Sequence, residues 1–167
     1  MKTLYIIRHA KSGWGDLSLP DFDRPLNDRG KKDAPEMARR LKGNKIIIDS
    51  FVSSPAKRAR KTCKLFCEVY DYPEDDIRYV DALYLAPAET IFEVTSALDN
   101  RYSHVAIFAH NPGVTDFSNR LTSRVHIDEM PTCGIFAVEA AIDNWQHFRN
   151  AEKKFLFFDY PKKETHP

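Results

Sequence analysis

The chain reads as an α/β protein, a three-layer α/β/α domain on a mostly parallel central sheet. Three observations carry that reading. Apolar runs of strand length alternate with segments of helical period; the opening run is rich in isoleucine, as a strand covered on both faces requires; and three of the runs end in polar residues that lead into loops or helices.

Residues 3–8 form the first strand, and a polar loop over 11–28 follows, carrying Pro20 and Pro25. Ala34, Met37, Ala38 and Leu41 then mark a helix, with Pro35 expected in or near its first turn because an interior proline disrupts a helix. Residues 46–53 end in a second strand. Ala59, Thr62, Cys63, Phe66 and Tyr70 give the next helix one apolar stripe, with Ser54 as its cap and Pro55 in its first turn. Residues 77–80 are a short third strand, and Pro87 opens a helix facing inward through Ile91, Val94, Thr95 and Leu98. Residues 104–109 make a fourth strand. His110, Asn111, Pro112 and Gly113 turn from it into a helix with Val114, Phe117 and Leu121 inward, and two later strands, 133–140 and 155–160, pair as a hairpin. One domain over 1–160 with a short frayed tail over 161–167 accounts for the 167 residues.

With 43% hydrophobic and 29% charged residues the composition is that of a globular protein, and 25 Lys plus Arg against 24 Asp plus Glu leave a formal charge of +1. No surface-wide field favours nucleic acid or anionic lipid, so a basic site must be a focused pocket. The four-residue apolar run before Arg8 is too short for a signal-peptide core or a membrane span. The three cysteines do not read as a disulfide framework; a reducing, cytoplasmic setting is expected.

The chemistry gathers at strand ends: Arg8 and His9 after the first, Ser53 and Ser54 leading to Arg58 after the second, and His110 after the fourth. Ligands of open α/β sheets bind at the carboxyl ends of strands. Two arginines and two histidines converging there suit a dianionic phosphoryl group, with guanidinium forks giving bidentate hydrogen bonds and fixed donors meeting charge that develops in transfer.

The segments RHAKSGW, DFDRPLNDRG, SSPAKRARKT and AHNPG, in this order over residues 3–134, resemble the histidine phosphatase superfamily, and more narrowly its short SixA-like branch of phosphohistidine phosphatases. MPTCG, at 130–134, resembles a further segment of that branch. The resemblance implies a phosphoglycerate mutase-like fold, His9 as a nucleophile that carries the phosphoryl group, and Arg8, Arg58 and His110 as the rest of the phosphate pocket. Neutral imidazole is the attacking form, and the neighbouring arginines would disfavour its protonation. Ser12 and the backbone after His9 are candidate additional donors.

A general acid is less evident. ALYLAPAET has Leu85 and Ala86 where a carboxylic acid is expected, and Glu89 is the nearest carboxylate, a candidate proton donor whose plainer role is to complement a helix amino terminus. A phosphohistidine substrate relaxes this demand, because an imidazole leaving group protonates near neutral pH. A phosphohistidine on another protein is therefore the expected substrate; a phosphoserine, phosphothreonine or small organic phosphate handled by the same nucleophile is the alternative, and a non-catalytic phosphate-binding module is a different class again. Neither a cofactor nor a metal is called for, since the strand ends offer arginines where divalent ions want carboxylates. Thiol chemistry of the anion-cradling-loop kind is unexpected, because none of Cys63, Cys67 and Cys133 has an arginine six residues on. Arg24 is expected to tie down its loop by pairing with Asp21, Asp23 or Asp28, and Lys57, Arg60 and Lys61 to face solvent. Trp14 is either a wall for substrate or an anchor for its loop. His104, His126, His147 and His166 are expected to be structural or solvated.

Overall fold

The computed structural model describes residues 1–163. The order is β1 (Lys2–Arg8), α1 (Asp28–Gly43), β2 (Ser50–Ser53), α2 (Lys57–Val69), β3 (Arg78–Tyr79), α3 (Ala88–Ser96), β4 (His104–Ala109), α4 (Gly113–Leu121), β5 (Ile135–Ala140) and β6 (Lys153–Asp159). These strands form one sheet in the order β3-β2-β4-β1-β5-β6. The four strands β3, β2, β4 and β1 are parallel, and β5 and β6 close one edge as an antiparallel hairpin, as expected.

Alternation along the strands sorts the core into two layers. Leu4 and Ile6 of β1, Val105 and Ile107 of β4, and Phe136 and Val138 of β5 pack against Ile91, Phe92, Val114 and Phe117 of α3 and α4. Tyr5, Ile7, Ala106, Phe108, Ile135 and Ala137 face the other way, onto Met37, Ala38, Cys63 and Phe66 of α1 and α2. Burying each large apolar side chain contributes roughly 1.5–3 kcal/mol, which is why strands covered on both faces lack polar positions.

Several local expectations are corrected. Helix α1 starts at Asp28, where Asn27 caps it by accepting from the Gly30 amide, so Pro35 lies well inside the helix rather than in its first turn. The lost hydrogen bond and ring crowding are tolerated because the apolar stripe of Ala34, Met37, Ala38 and Leu41 is buried on the sheet. Helix α2 begins at Lys57 behind Ala56, not at Ser54, whose hydroxyl is engaged elsewhere. Pro87 is the residue before the first turn of α3. Strand β2 occupies the end of 46–53, as expected, following Asp49, whose amide donates to the His104 carbonyl. Strand β5 starts at Ile135 because Cys133 has a φ of 60°, a left-handed conformation that ends an extended run. Residues 164–167, the end of the expected tail and His166 included, lie outside the described residues; within it, Lys163 donates to the Phe158 carbonyl at 2.6 Å.

Candidate phosphate-transfer site

Because β2, β4 and β1 are adjacent and parallel, their carboxyl ends lie side by side: Arg8 is level with Ala109, and Ser53 with Phe108. The next residues are therefore neighbours, and His9, Ser54 and His110 meet at one edge of the sheet. Arg58 enters from the first turn of α2. A cation there opposes the helix dipole, so this placement is not explained by helix stability. The imidazoles of His9 and His110 lie 5.2 Å apart between centroids, and both residues are buried, as is Arg58.

His9 is held by its backbone and by one ring nitrogen. Its amide donates to the Ala109 carbonyl at 3.1 Å, and its carbonyl accepts from the Cys133 amide at 3.0 Å. Nδ1 lies 2.7 Å from the Ala10 carbonyl. A carbonyl only accepts, so the proton is on Nδ1, which leaves the lone pair on Nε2. Arg58 Nε donates to that lone pair at 3.4 Å. Burial, more than any charge, lowers the His9 pKa to about 3, with His110, Arg58 and Arg8 adding to the effect and the Ala10 carbonyl opposing it. The arginines thus act in the expected direction, but they are not the main cause. The Ala10 amide donates to Thr62 Oγ1 at 2.9 Å, so this first amide after His9 is already engaged.

His110 is neutral for the same leading reason: burial, then Arg58, lower its pKa to about 3. Its Nε2 contacts Ser54 Oγ at 2.7 Å. Arg8 is held by the MPTCG segment, donating from Nη1 to the Met130 carbonyl at 2.8 Å; Asn111 Nδ2 donates to the same carbonyl at 3.0 Å. Among the described residues, Arg8 Nε and His110 Nδ1 are buried with no hydrogen-bond partner. Two buried polar atoms of one site left in this way mark where an oxygen-rich ligand would be satisfied.

Sequence reasoning named Asp21 only as a partner for Arg24, missing its contact with Arg58, and missed Tyr84. Arg58 donates from Nη1 to the Asp21 carbonyl at 2.7 Å and from Nη2 to its carboxylate at 3.0 Å, and the Tyr84 hydroxyl donates to the same carboxylate oxygen. Arg24 takes the other oxygen from Nε and Nη2, as the loop-tying reading expects, and Arg24 Nη1 donates to Ser12 Oγ at 2.9 Å. Ser12 therefore meets the pocket through Arg24. Burial raises the Asp21 pKa, but hydrogen bonds from Tyr84, Arg58 and Arg24 outweigh it and bring it to about 2. Tyr84 also packs edge-on against His110, with centroids 5.6 Å apart. It stands in the segment ALYLAPAET, beside Leu85 and Ala86, where a carboxylic acid is expected.

Glu89 sits in the first turn of α3, as its helix-terminus reading expects, and its carboxylate is bound by Arg149 and Arg120. Hydrogen bonds from those arginines lower its pKa, which disfavours the protonated form that a general acid needs. The proton-donor reading of Glu89 has no geometric support. Trp14 is exposed and lies under the Arg24 guanidinium at 3.7 Å, so it does not anchor the loop by burial. Lys57 and Lys61 face solvent on α2; with Arg60, Lys64 and Lys31 they line a shallow concavity that Arg58 does not line. Among the described residues no group of three or more His, Cys, Asp or Glu is arranged to hold a metal ion.

An α/β sheet that gathers arginines and buried neutral histidines at its carboxyl edge is an architecture for handling phosphate. The chain belongs to the histidine phosphatase superfamily and is an enzyme of the phosphatase class: the model of that superfamily's branch 1 matches residues 4–83. An uncharacterized protein of Mycobacterium tuberculosis is 30% identical over 144 residues, covering 81% of this chain and 87% of that protein. The fold is shared with the SixA of Nakamurella multipartitia, at a TM-score of 0.82, 21% identity and 97% of both chains. It is shared equally with the protein histidine phosphatase SixA complexed with tungstate, at 0.79 and 22% identity over 95% of this chain and 97% of that one.

Proposed function

We propose that the chain removes phosphoryl groups from phosphohistidine on proteins through a covalent intermediate on His9 Nε2. The observation that carries this reading is the His9 ring itself: its Nδ1 proton is committed to the Ala10 carbonyl and its Nε2 lone pair faces Arg58. In the first step His9 Nε2 forms a bond to phosphorus as the phosphorus–nitrogen bond of the substrate breaks, and the departing imidazole takes a proton from water. In the second, water attacks phosphorus, inorganic phosphate leaves, His9 regains its lone pair, and the proton released by the attacking water neutralises the hydroxide left by the first step. Arg8, Arg58 and His110 stabilise the equatorial oxygens throughout.

The choice of substrate is supported by the acids. Asp21 is held near pKa 2 and Glu89 is lowered by its arginines, so both are carboxylates at neutral pH and neither supplies the proton that an alkoxide leaving group demands. An imidazole makes no such demand. The SixA-like fold agrees with it, and the free, buried cysteines support a reducing compartment such as the cytoplasm.

The test is a paired assay in excess chelator: one protein substrate carrying phosphohistidine, one carrying phosphoserine, each against a His9→Ala control. Faster release from phosphohistidine, with an acid-labile phosphoryl group trapped on His9 by rapid quench, is expected. Preference for phosphoserine would transfer the mechanism to ester substrates, and release no greater than the control would leave a binding module.

A further inference from the structure

We infer that Ser54 is a positioning residue that fixes the tautomer of His110, holding the ring proton on Nδ1 so that it points at a phosphoryl oxygen. The inference rests on the phosphate-transfer reading for its purpose, but its evidence is hydrogen-bond accounting within this chain. Ser54 Oγ is 2.7 Å from His110 Nε2 and accepts from the Ala56 amide at 3.2 Å. Both residues are fully buried, 0% exposed for Ser54 and 1% for His110. The Ser54 amide donates to the Phe108 carbonyl at 3.0 Å and its carbonyl accepts from Ser53 Oγ at 2.9 Å, so the serine is fixed to the strand that delivers His110.

A hydroxyl has one proton to donate and two lone pairs. One lone pair is taken by Ala56. If His110 carried its proton on Nε2 and donated to Oγ, the hydroxyl proton would have no acceptor and Nδ1 would present a bare lone pair to incoming phosphate oxygens. Two buried polar groups would then be mismatched, and a buried polar group left without a partner is destabilising. If the hydroxyl instead donates to Nε2, the serine is satisfied and His110 keeps Nδ1–H, the buried donor that no protein group accepts. That donor is what a phosphoryl oxygen needs. Ser54 contacts no substrate in this scheme; it acts through the imidazole.

The measurement is a long-range proton–nitrogen correlation spectrum of the full chain labelled at histidine, at neutral pH, with His110 assigned by the peaks lost in His110→Gln. Wild type is expected to show Nδ1 protonated and Nε2 bare. Ser54→Ala is expected to lose that preference and to reduce kcat/KM on phosphohistidine about tenfold, the size of one lost hydrogen bond to a charged group, while Ser54→Thr restores the wild-type tautomer. A proton on Nε2 in the wild-type spectrum overturns the inference, as does an unchanged tautomer in a folded Ser54→Ala protein. If that variant does not fold, the wild-type spectrum alone decides. Because the spectrum needs no turnover, it is readable even for a chain that hydrolyses no phosphohistidine, and a working phosphatase with Nε2–H would overturn the role of Ser54 alone.

Discussion

Asp21 places a carboxylate on Arg58, the guanidinium that also reaches the His9 lone pair. One negative charge is thus resident beside donors that a phosphate would share, countered by Tyr84 and Arg24. Asp21→Asn keeps the shape of the side chain and removes the charge. Inorganic phosphate is expected to inhibit this variant about fivefold more strongly than wild type, the size of one partly screened charge near the pocket; inhibition constants measured at fixed ionic strength check it. An unchanged constant would place the carboxylate out of the phosphate's field. His9→Ala, by contrast, should abolish the trapped phosphoryl group altogether.

Helix α4 depends on an approach that only glycine allows. A Cβ on Gly113 would lie 1.8 Å from the Ala86 carbonyl oxygen, against backbone that cannot swing aside. No glycine among the described residues has positive φ, so the demand here is for space between the starts of α3 and α4, not for backbone freedom. Gly113→Ala should destabilise by about 2 kcal/mol or more and lower Tm by about 4–8 °C. It should also cost activity, since the Val114 amide donates to the His110 carbonyl and any shift of α4 moves that ring. Thermal melts and initial rates on one preparation test both. Pro35 in α1 shows the opposite balance, in which tertiary packing overrides a local defect.

The molecule as a whole keeps two neutral histidines under its sheet edge, and this couples stability to pH. Both titrate at about 3 when folded, against about 6.5 in the unfolded chain. Above pH 6.5 neither state binds the protons and the histidines contribute nothing. Below it the unfolded chain takes them up first, so stability falls as pH drops from about 6.5 toward 3. The loss by pH 5 is on the order of 4 kcal/mol for the pair, about 2 kcal/mol for each histidine. Asp21, lowered to about 2, adds its own loss only below the usual carboxylate range. Urea unfolding at pH 7, 6 and 5 should show the midpoint moving down before carboxylates titrate; replacing His110 by Gln should flatten that slope.

Periodicity and strand-end residues are local properties, and they were sufficient for the α/β class, the six strands, the four helices and the closing hairpin, while four segments in order carried the resemblance to the family. Even the pairing of His9 with His110 followed from one rule, that ligands meet the carboxyl ends of parallel strands. What the order of amino acids left open is what distant segments do to one another. Asp21 reaches Arg58 across 37 positions, Tyr84 reaches Asp21 across 63, Ser54 reaches His110 across 56 and the Met130 carbonyl reaches Arg8 across 122. No period encodes the path of the loop from β1 to α1 or the left-handed turn at Cys133. Element boundaries shifted for the same reason: Ser54 has the chemistry of a helix cap, but the tertiary structure spends its hydroxyl on a histidine, because a buried imidazole nitrogen without a partner costs more than a helix start moved by a few residues.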